Sequence, residues 1–529
     1  MTGELIEKIL TQLQYNPKEP LMFSSGLFLI LFLFLAFFYM LLRGKASWRL
    51  LFVTLFSYYF YYKSSGLCFL LLALVTATDF FLGKAIGKAR LEAQQKAEGE
   101  QQASEGEQQA SEGEQQAEVR STKARWLLGL SILVDLGLLF YFKYTNFFAS
   151  MISQAINGNF QPWDIVLPVG ISFFTFKSLS YTIDVYRGKM KPVESFLDYA
   201  FFVSFFPVLV AGPITRATDF MPQIAQLRQK GLQWPSKNLE WSRGVYFVAT
   251  GLIKKAVISD YISQNFVDRI FDNPTLFSGG EVLLGIYGYC VQIYCDFSGY
   301  SDMAIGIALL MGFSIPMNFD APFKADSMSN FWRRWHLSLS SWIRDYIYIP
   351  LGGSRKGKVR MYINQMIAMT LCGLWHGASL NFVVWGGLHG ALVCIHKFFS
   401  QTILHHDRKY HPAGIRRFFA VLLTFHLVCF TWLFFRCPDF EGVTLMLTQM
   451  FTKFNPEVLP DVFVAYKYVF AMILLAFITH ALPTSFENRM VRWLQKGGVV
   501  AATILMVLVI YLVIQVKSSD VQPFIYFQF

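Results

Sequence analysis

Nine histidines are the residues of this chain best suited to proton chemistry near neutrality. His396, His405, His406 and His411 lie at a helix end or in the basic loop that follows it. His426 and His480 stand alone in apolar runs and read as hydrogen-bonded packing residues. His336, His376 and His389 are left. His376 occurs in Leu374-Trp375-His376-Gly377, at the end of the apolar run 361–374. An ionisable group at membrane depth is costly to keep there and points to function. An imidazole in that place can take a proton from a hydroxyl and give it back. His336 occurs in the run from Phe331 to Ser340. On a helix, Trp332, Trp335, Leu339 and Trp342 make an apolar stripe, with Arg333, Arg334 and Arg344 elsewhere. That pattern predicts a helix anchored in the headgroup zone. The competing reading has the helix dip inward and present His336 to a cavity. Asn381, Trp385 and His389 share one helix face, either as a polar lining or as an interhelical hydrogen-bonding set.

The run from Gln292 to Asp302 is the most polar part of any apolar segment. Gln292, Asp296 and Gly299 fall on one helix face, and Ser298 lies within the run. A carboxylate there needs a partner, for which Lys255, Arg333, Arg334 or a histidine would serve. No HExxH spacing occurs, so no metal site is expected. There is no GxSxG elbow and no P-loop. The seven cysteines include no CxxC pair and read as small buried hydrophobes.

These residues must be held by the elements around them. Hydrophobic residues make up 54% of the 529 positions and aromatics 17%. Charged residues are 15%, against roughly 25% in soluble globular proteins. That balance excludes a soluble enzyme, a disordered chain and a disulfide scaffold. It predicts an all-α polytopic membrane protein with about ten to twelve crossings of roughly 20 residues each. The net charge of +11 is spread between apolar runs, which follows the positive-inside rule and gives no nucleic-acid stripe. Segment 22–42 is apolar, and Arg43, Lys45 and Arg49 follow it. Segments 50–62 and 67–82 then deliver Lys84, Lys88 and Arg90 to the same side. The parity places the N-terminus outside and both basic loops in the cytoplasm. The first apolar run is too long for a cleaved signal and is expected to be retained.

Composition also divides the chain. Residues 1–21 form an amphipathic extension and 22–91 a first group of transmembrane helices. Residues 92–118 repeat EGEQQAS and hold eight Glu and one Lys, so the rest of the chain is more basic than the total suggests. The repeat has nothing to bury and reads as an acidic cytoplasmic spacer. Residues 119–400 carry the polar and glycine-rich positions expected of a functional core. Residues 401–529 supply further transmembrane helices.

Four blocks carry a resemblance. The first runs Leu167-Pro168-Val169-Gly170-Ile171-Ser172-Phe173-Phe174-Thr175-Phe176 and on to Asp184-Val185-Tyr186-Arg187-Gly188. The second is Phe206-Pro207 with Ala211-Gly212-Pro213-Ile214. The third is Asp296-Phe297-Ser298-Gly299-Tyr300-Ser301-Asp302, followed by 331–340 and Tyr348-Ile349-Pro350-Leu351-Gly352-Gly353. The fourth is Leu374-Trp375-His376-Gly377, Trp385-Gly386 and His389-Gly390. The ending Phe524-Ile525-Tyr526-Phe527-Gln528-Phe529 matches as well. In these the chain resembles the membrane-bound O-acyltransferases (MBOAT), and among them the alginate O-acetyltransferase, AlgI-like branch. The likeness covers about 22–90 and 125–529; the repeat lies outside it.

The resemblance implies a helical ring of about ten to twelve crossings around a central tunnel, with interfacial or re-entrant helices. It implies acyl transfer from a cytoplasmic thioester, acetyl-CoA or another acyl donor, with no bound cofactor. The family's two signature histidines map onto His376, as the base, and His336, as a positioning or oxyanion-stabilising group. Asp296, Gln292, Ser298, Arg333, Arg334, Trp335, Trp375, Asn381 and His389 are the substrate-binding candidates. It further implies a bacterial inner membrane, a polysaccharide acceptor outside it and a periplasmic SGNH-type partner, AlgJ- or AlgX-like. A peptidoglycan or DltB-like teichoic-acid acyltransferase keeps the chemistry and changes the acceptor. A transporter or scramblase on the same scaffold, or a structural hub of an export complex, would dispense with it.

Overall fold

The computed structural model describes residues 2–104, 121–230, 239–407, 410–516 and 524–525. Of the acidic repeat, 92–104 complete a helix and 105–118 lie outside the described residues, as do 526–529 of the aromatic ending. Among the described residues every regular element is helical. Five stretches are long and apolar enough to cross a bilayer: Ala46–Glu98, Thr122–Ala155, Leu380–Ile403, Gly414–Arg436 and Thr484–Val516. A sixth is broken, with Pro456–Ala465 and Lys467–Ala481 meeting at 83°. Helices close their backbone hydrogen bonds within themselves, which lipid requires. Val500, Ile504, Val507 and Leu508 are exposed on the last of these helices. Such a continuous apolar face is a liability in water and solvated in lipid. The protein is a multi-pass, all-α membrane protein.

The chain forms two compact units. The first comprises Met1–Leu21, Leu31–Val210 and Thr215–Gln233. Its main helices are α1 (Ala46–Ser65), α2 (Phe69–Ser104), α3 (Thr122–Leu139), α4 (Ile171–Tyr186) and α5 (Phe196–Ser204). Several polar groups at membrane depth find partners within this unit. Ser131 Oγ on α3 lies 2.9 Å from Asp79 Oδ1 on α2 and 3.0 Å from Thr182 Oγ1 on α4. The buried Lys177 donates to the Val203 carbonyl at 3.0 Å, tying α4 to α5. Gly170 starts α4 in the left-handed region at φ +74°, and a Cβ there would meet Val210 Cα at 2.7 Å. That accounts for the glycine in the Pro168-Val169-Gly170 motif.

The second unit comprises Met22–Ile30, Ala211–Ile214 and Trp234–Phe529. Its described helices include α6 (Leu239–Leu252), α7 (Gly279–Leu310), α8 (Met328–Phe331) and α9 (Leu337–Ile343). Next come α10 (Lys358–His376), α11 (Leu380–Phe398), α12 (Gly414–Arg436) and α13 (Thr484–Val516). A capping box starts α7: Ser278 Oγ accepts from the Glu281 N–H, and Glu281 accepts from the Ser278 N–H at 2.8 Å. Glycines at matching seven-residue intervals bring α6 and α7 together. A Cβ on Gly251 would sit 2.6 Å from the Gly299 carbonyl, and one on Gly306 2.6 Å from the Gly244 carbonyl. Small residues allow this backbone contact between membrane helices. Beyond α6 the chain winds into a π-helical turn, Ile253–Ser259, which carries Lys254 and Lys255 towards α7.

Candidate active site

The single helix expected through Trp332 and Trp342 does not form. The chain ends α8 at Phe331, turns, and restarts at Leu337. His336 is the break, with φ +46° and ψ 55°. A left-handed residue cannot continue a right-handed helix, and one with a side chain costs roughly 1–2 kcal/mol. The break dismantles the surface stripe. Trp335 and Trp342 are buried in the second unit, while Arg333 remains exposed. His336 itself is fully buried.

Asn318 holds this strained residue in place. Its carbonyl accepts from the Leu337 N–H at 3.0 Å. Its side-chain Oδ1 lies 3.0 Å from His336 Nδ1 and accepts from Ser338 Oγ at 2.9 Å and from the Ser338 N–H at 3.3 Å. Its Nδ2 donates to Ser301 Oγ on α7 at 3.2 Å. Ser338 Oγ in turn accepts the Ile214 N–H at 2.9 Å. The Ala211–Ile214 motif thus supports the His336 turn within one unit. His336 Nε2 has no hydrogen-bonding partner among the described residues. Phe297 of α7 meets the imidazole edge-on, with centroids 4.7 Å apart.

His376 ends α10 and is buried. The indole of Trp375 lies 6.1 Å from the His336 ring and 5.0 Å from the His376 ring, centroid to centroid. Trp385 and Phe435 complete the aromatic wall around His376, at 5.1 and 5.3 Å. The position of His376 depends on close packing of α10 on α11. A Cβ on Gly373 would fall 2.1 Å from the Phe382 carbonyl, and one on Gly386 2.4 Å from the Met369 carbonyl.

His389 is held differently. Trp332 Nε1 donates to its Nδ1 at 3.3 Å, and its Nε2 lies 3.0 Å from Thr431 Oγ. Thr431 spends its own proton on the Val428 carbonyl, so the imidazole donates from Nε2. Both ring nitrogens are therefore engaged in joining α11 to α12 and to the turn after α8. Asn381 of α11 donates to the carbonyl of Cys437, the residue that caps α12, at 2.9 Å.

The α7 candidates have partners of their own. Asp296 pairs with Lys255 at 2.6 Å, and its Oδ2 accepts the Ile525 N–H at 2.9 Å. Gln292 donates to Ser263 Oγ at 2.9 Å, and Ser298 is buried. Arg334 is bound to Asn330 and Asp320. Trp335 stacks on Phe331 at 5.5 Å and meets Trp432 at 5.1 Å. Arg333 lines a cavity of about 180 Å³ with Ser329, Tyr348, His396, Lys397 and His411. The geometry thus brings His336, Trp375 and His376 together and places Asp296, Gln292 and Asn381 in supporting contacts. Sequence reading missed Asn318, Ser338 and Thr431. Asn318 and Thr431 are neutral polar residues 18 and 42 positions along the chain from the histidines they touch, and Ser338 acts through Asn318, so no spacing rule connects them.

Comparison with known proteins agrees with this architecture. The model of the MBOAT, membrane-bound O-acyltransferase family, matches residues 139–435, which include all three histidines of the cluster. "Probable alginate O-acetylase AlgI" of Pseudomonas putida is 34% identical over 537 residues, covering 96% of this chain and 100% of that protein. The protein of the same name from Pseudomonas syringae pv. tomato is 38% identical over 442 residues, 82% of this chain and 75% of that one. A "Peptidoglycan O-acetyltransferase" of Helicobacter pylori is 36% identical over 352 residues, 62% of this chain and 65% of its own. The chain belongs to the membrane-bound O-acyltransferase family and is an acyltransferase.

Proposed function

We propose that the protein transfers an acyl group, acetyl in the first instance, from a cytoplasmic thioester to a hydroxyl acceptor, for modification of an exported or cell-envelope polysaccharide. The observation that carries this reading is the gathering of two buried histidines, His336 and His376, about the indole of Trp375. In the step, His376 takes the acceptor's hydroxyl proton and the oxygen attacks the thioester carbonyl. His336, clamped by Asn318, positions the acceptor. The C–S bond then breaks, and the proton passes from the His376 imidazolium to the departing thiolate.

The donor is acetyl-CoA or another acyl thioester. The cavity beside Arg333 and Lys397 suits the phosphate of its phosphopantetheine arm. The alginate O-acetylases among the relatives favour an exopolysaccharide acceptor. The peptidoglycan O-acetyltransferase favours, as a second reading, the same chemistry on a cell-wall acceptor. We place the protein in the bacterial inner membrane with its N-terminus in the periplasm, working with a periplasmic SGNH-type acyltransferase.

Membranes carrying the protein, supplied with radiolabelled acetyl-CoA and the periplasmic partner, provide the test. Wild type should transfer label, His336→Gln and His376→Ala should not, and all three should fold. Equal transfer by wild type and His376→Ala overturns the base. Movement of a solute or lipid without any label transfer favours the transporter reading.

A further inference from the structure

Two carboxyl groups of the first unit have no part in the transfer step. Asp79 on α2 and Asp135 on α3 lie in apolar spanning segments and are 0% and 1% exposed. A bare carboxylate is costly at that depth, and two facing each other are costlier. The side chains stand within hydrogen-bonding reach of one another, yet a carboxylate has nothing to donate. Ser131, one turn before Asp135 on α3, offers its hydroxyl proton to Asp79 Oδ1 at 2.9 Å, and Thr182 Oγ1 competes for it at 3.0 Å. Thr182 spends its own proton on the Leu179 carbonyl at 3.3 Å. Asp79 Oδ2 and both oxygens of Asp135 receive no donor among the described residues.

The neighbouring helices direct their charged and titratable groups elsewhere. On α4, Lys177 is committed to the Val203 carbonyl, the Tyr181 hydroxyl accepts the Val193 N–H, and Asp184 pairs with Lys189. On α5, the Tyr199 hydroxyl bonds to Ser178 Oγ at 3.1 Å and Asp198 binds Arg228. On α1, Lys63 donates to the Gln12 carbonyl and Arg49 to the Tyr39 carbonyl. The cluster thus gathers four carboxyl oxygens about one contested hydroxyl proton.

We infer that Asp79 and Asp135 form a proton-binding site, in which one proton shared between the two carboxyls joins α2 to α3 at membrane depth. One carboxyl keeps its O–H and donates it to the other, so the pair carries a single negative charge and gains the donor that its oxygens lack. Release of that proton sets two carboxylates against each other between α2 and α3, which makes the packing of the first unit depend on pH. The assignment is independent of the transfer step and of the residue that serves as its base.

Infrared spectroscopy of the full chain in lipid reads the proton directly. At neutral pH wild type should show the C=O stretch of a protonated, buried carboxyl. Asp135→Asn should lose it, because an amide donates to Asp79 without a carboxyl proton. Wild type without that band, or Asp135→Asn with the band undiminished, overturns the site. Thermal midpoints against pH give the second reading. When the unit opens, water reaches both carboxyls, and they ionise near the ordinary aspartate value of about 3.9. The closed unit then binds more protons than the open one, so its stability falls as pH rises. Asp135→Asn removes that difference, and its midpoint should climb relative to wild type between about pH 5 and about pH 8. Parallel pH dependence in the two proteins overturns the shared proton. The double variant Asp79→Asn/Asp135→Asn, with two amides to pair and no proton to lose, keeps the test decisive should the single variant fail to fold. It should lack both the band and the fall in stability, and retention of either overturns the site.

Discussion

Lys255 holds its ammonium 2.6 Å from Asp296 and 2.7 Å from Asp260, so two carboxylates converge on one cation. The pair of Lys255 and Asp296 is almost wholly buried, at 4% exposure for each side chain. Removing one member of a buried pair strands the other's charge, at about 3–5 kcal/mol. Lys255→Met should therefore lower the thermal midpoint of the purified protein strongly. Asp296→Asn should cost less, because Lys255 keeps Asp260 and an amide oxygen can still accept the Ile525 N–H. Equal midpoints for Lys255→Met and wild type would show that the pair is not structural.

This pair also shows how far the sequence could be read. A carboxylate in the middle of an apolar helix demands a partner, and Lys255 was among the few available. What brings them together is a π-helical turn after α6, and no residue pattern announces that turn. The apolar runs marked many of the helices, but among the described residues five stretches and one bent pair are long and apolar enough to cross, against the roughly ten to twelve crossings expected. The Trp-Arg stripe around His336 misled for a different reason. Its periodicity is sound, but Asn318 stabilises a left-handed break that local propensity opposes. His376 and His336 were legible as ionisable groups in costly places. Trp375 was legible beside them as a substrate-binding candidate, while Phe297 was legible only as part of the motif after Asp296.

Glycine packing between α10 and α11 gives a second prediction. A Cβ at Gly386 would overlap the Met369 carbonyl at 2.4 Å, and backbone cannot swing aside as a side chain does. Overpacking of this kind costs about 1–3 kcal/mol and shifts the helices. His376 closes α10, and Trp385 of α11 packs on it. Gly386→Ala should thus lose label transfer at a midpoint only modestly lower than that of wild type. Full activity in Gly386→Ala would mean that His376 tolerates displacement.

His389 should separate from the other two histidines in kinetics. Thr431→Val leaves its Nε2–H buried and unpaired, a penalty of about 1–3 kcal/mol. The expected result is a lower thermal midpoint with the pH profile of transfer unchanged, because neither nitrogen of His389 is open to substrate. A pH profile displaced in Thr431→Val would instead place His389 in the proton path.

Asp326 offers a pH test in the loop ahead of α8. Burial works against its charge, but hydrogen bonds from His411 at 2.7 Å and Asn330 at 2.8 Å outweigh burial and hold the carboxyl below the ordinary aspartate value. A carboxyl depressed in the folded state stabilises the fold above its unfolded pKa, about 3.9. That contribution is lost as pH falls through the lower, folded value. The thermal midpoint of Asp326→Asn should lie below that of wild type from neutral pH down to about pH 5. Below about pH 4 the gap should narrow as wild type takes up the proton. Asn330 also accepts from Arg334, two residues before His336, so the variant loosens the support of the turn as well. A gap that closes between neutrality and about pH 5 would assign the titration to a group other than Asp326.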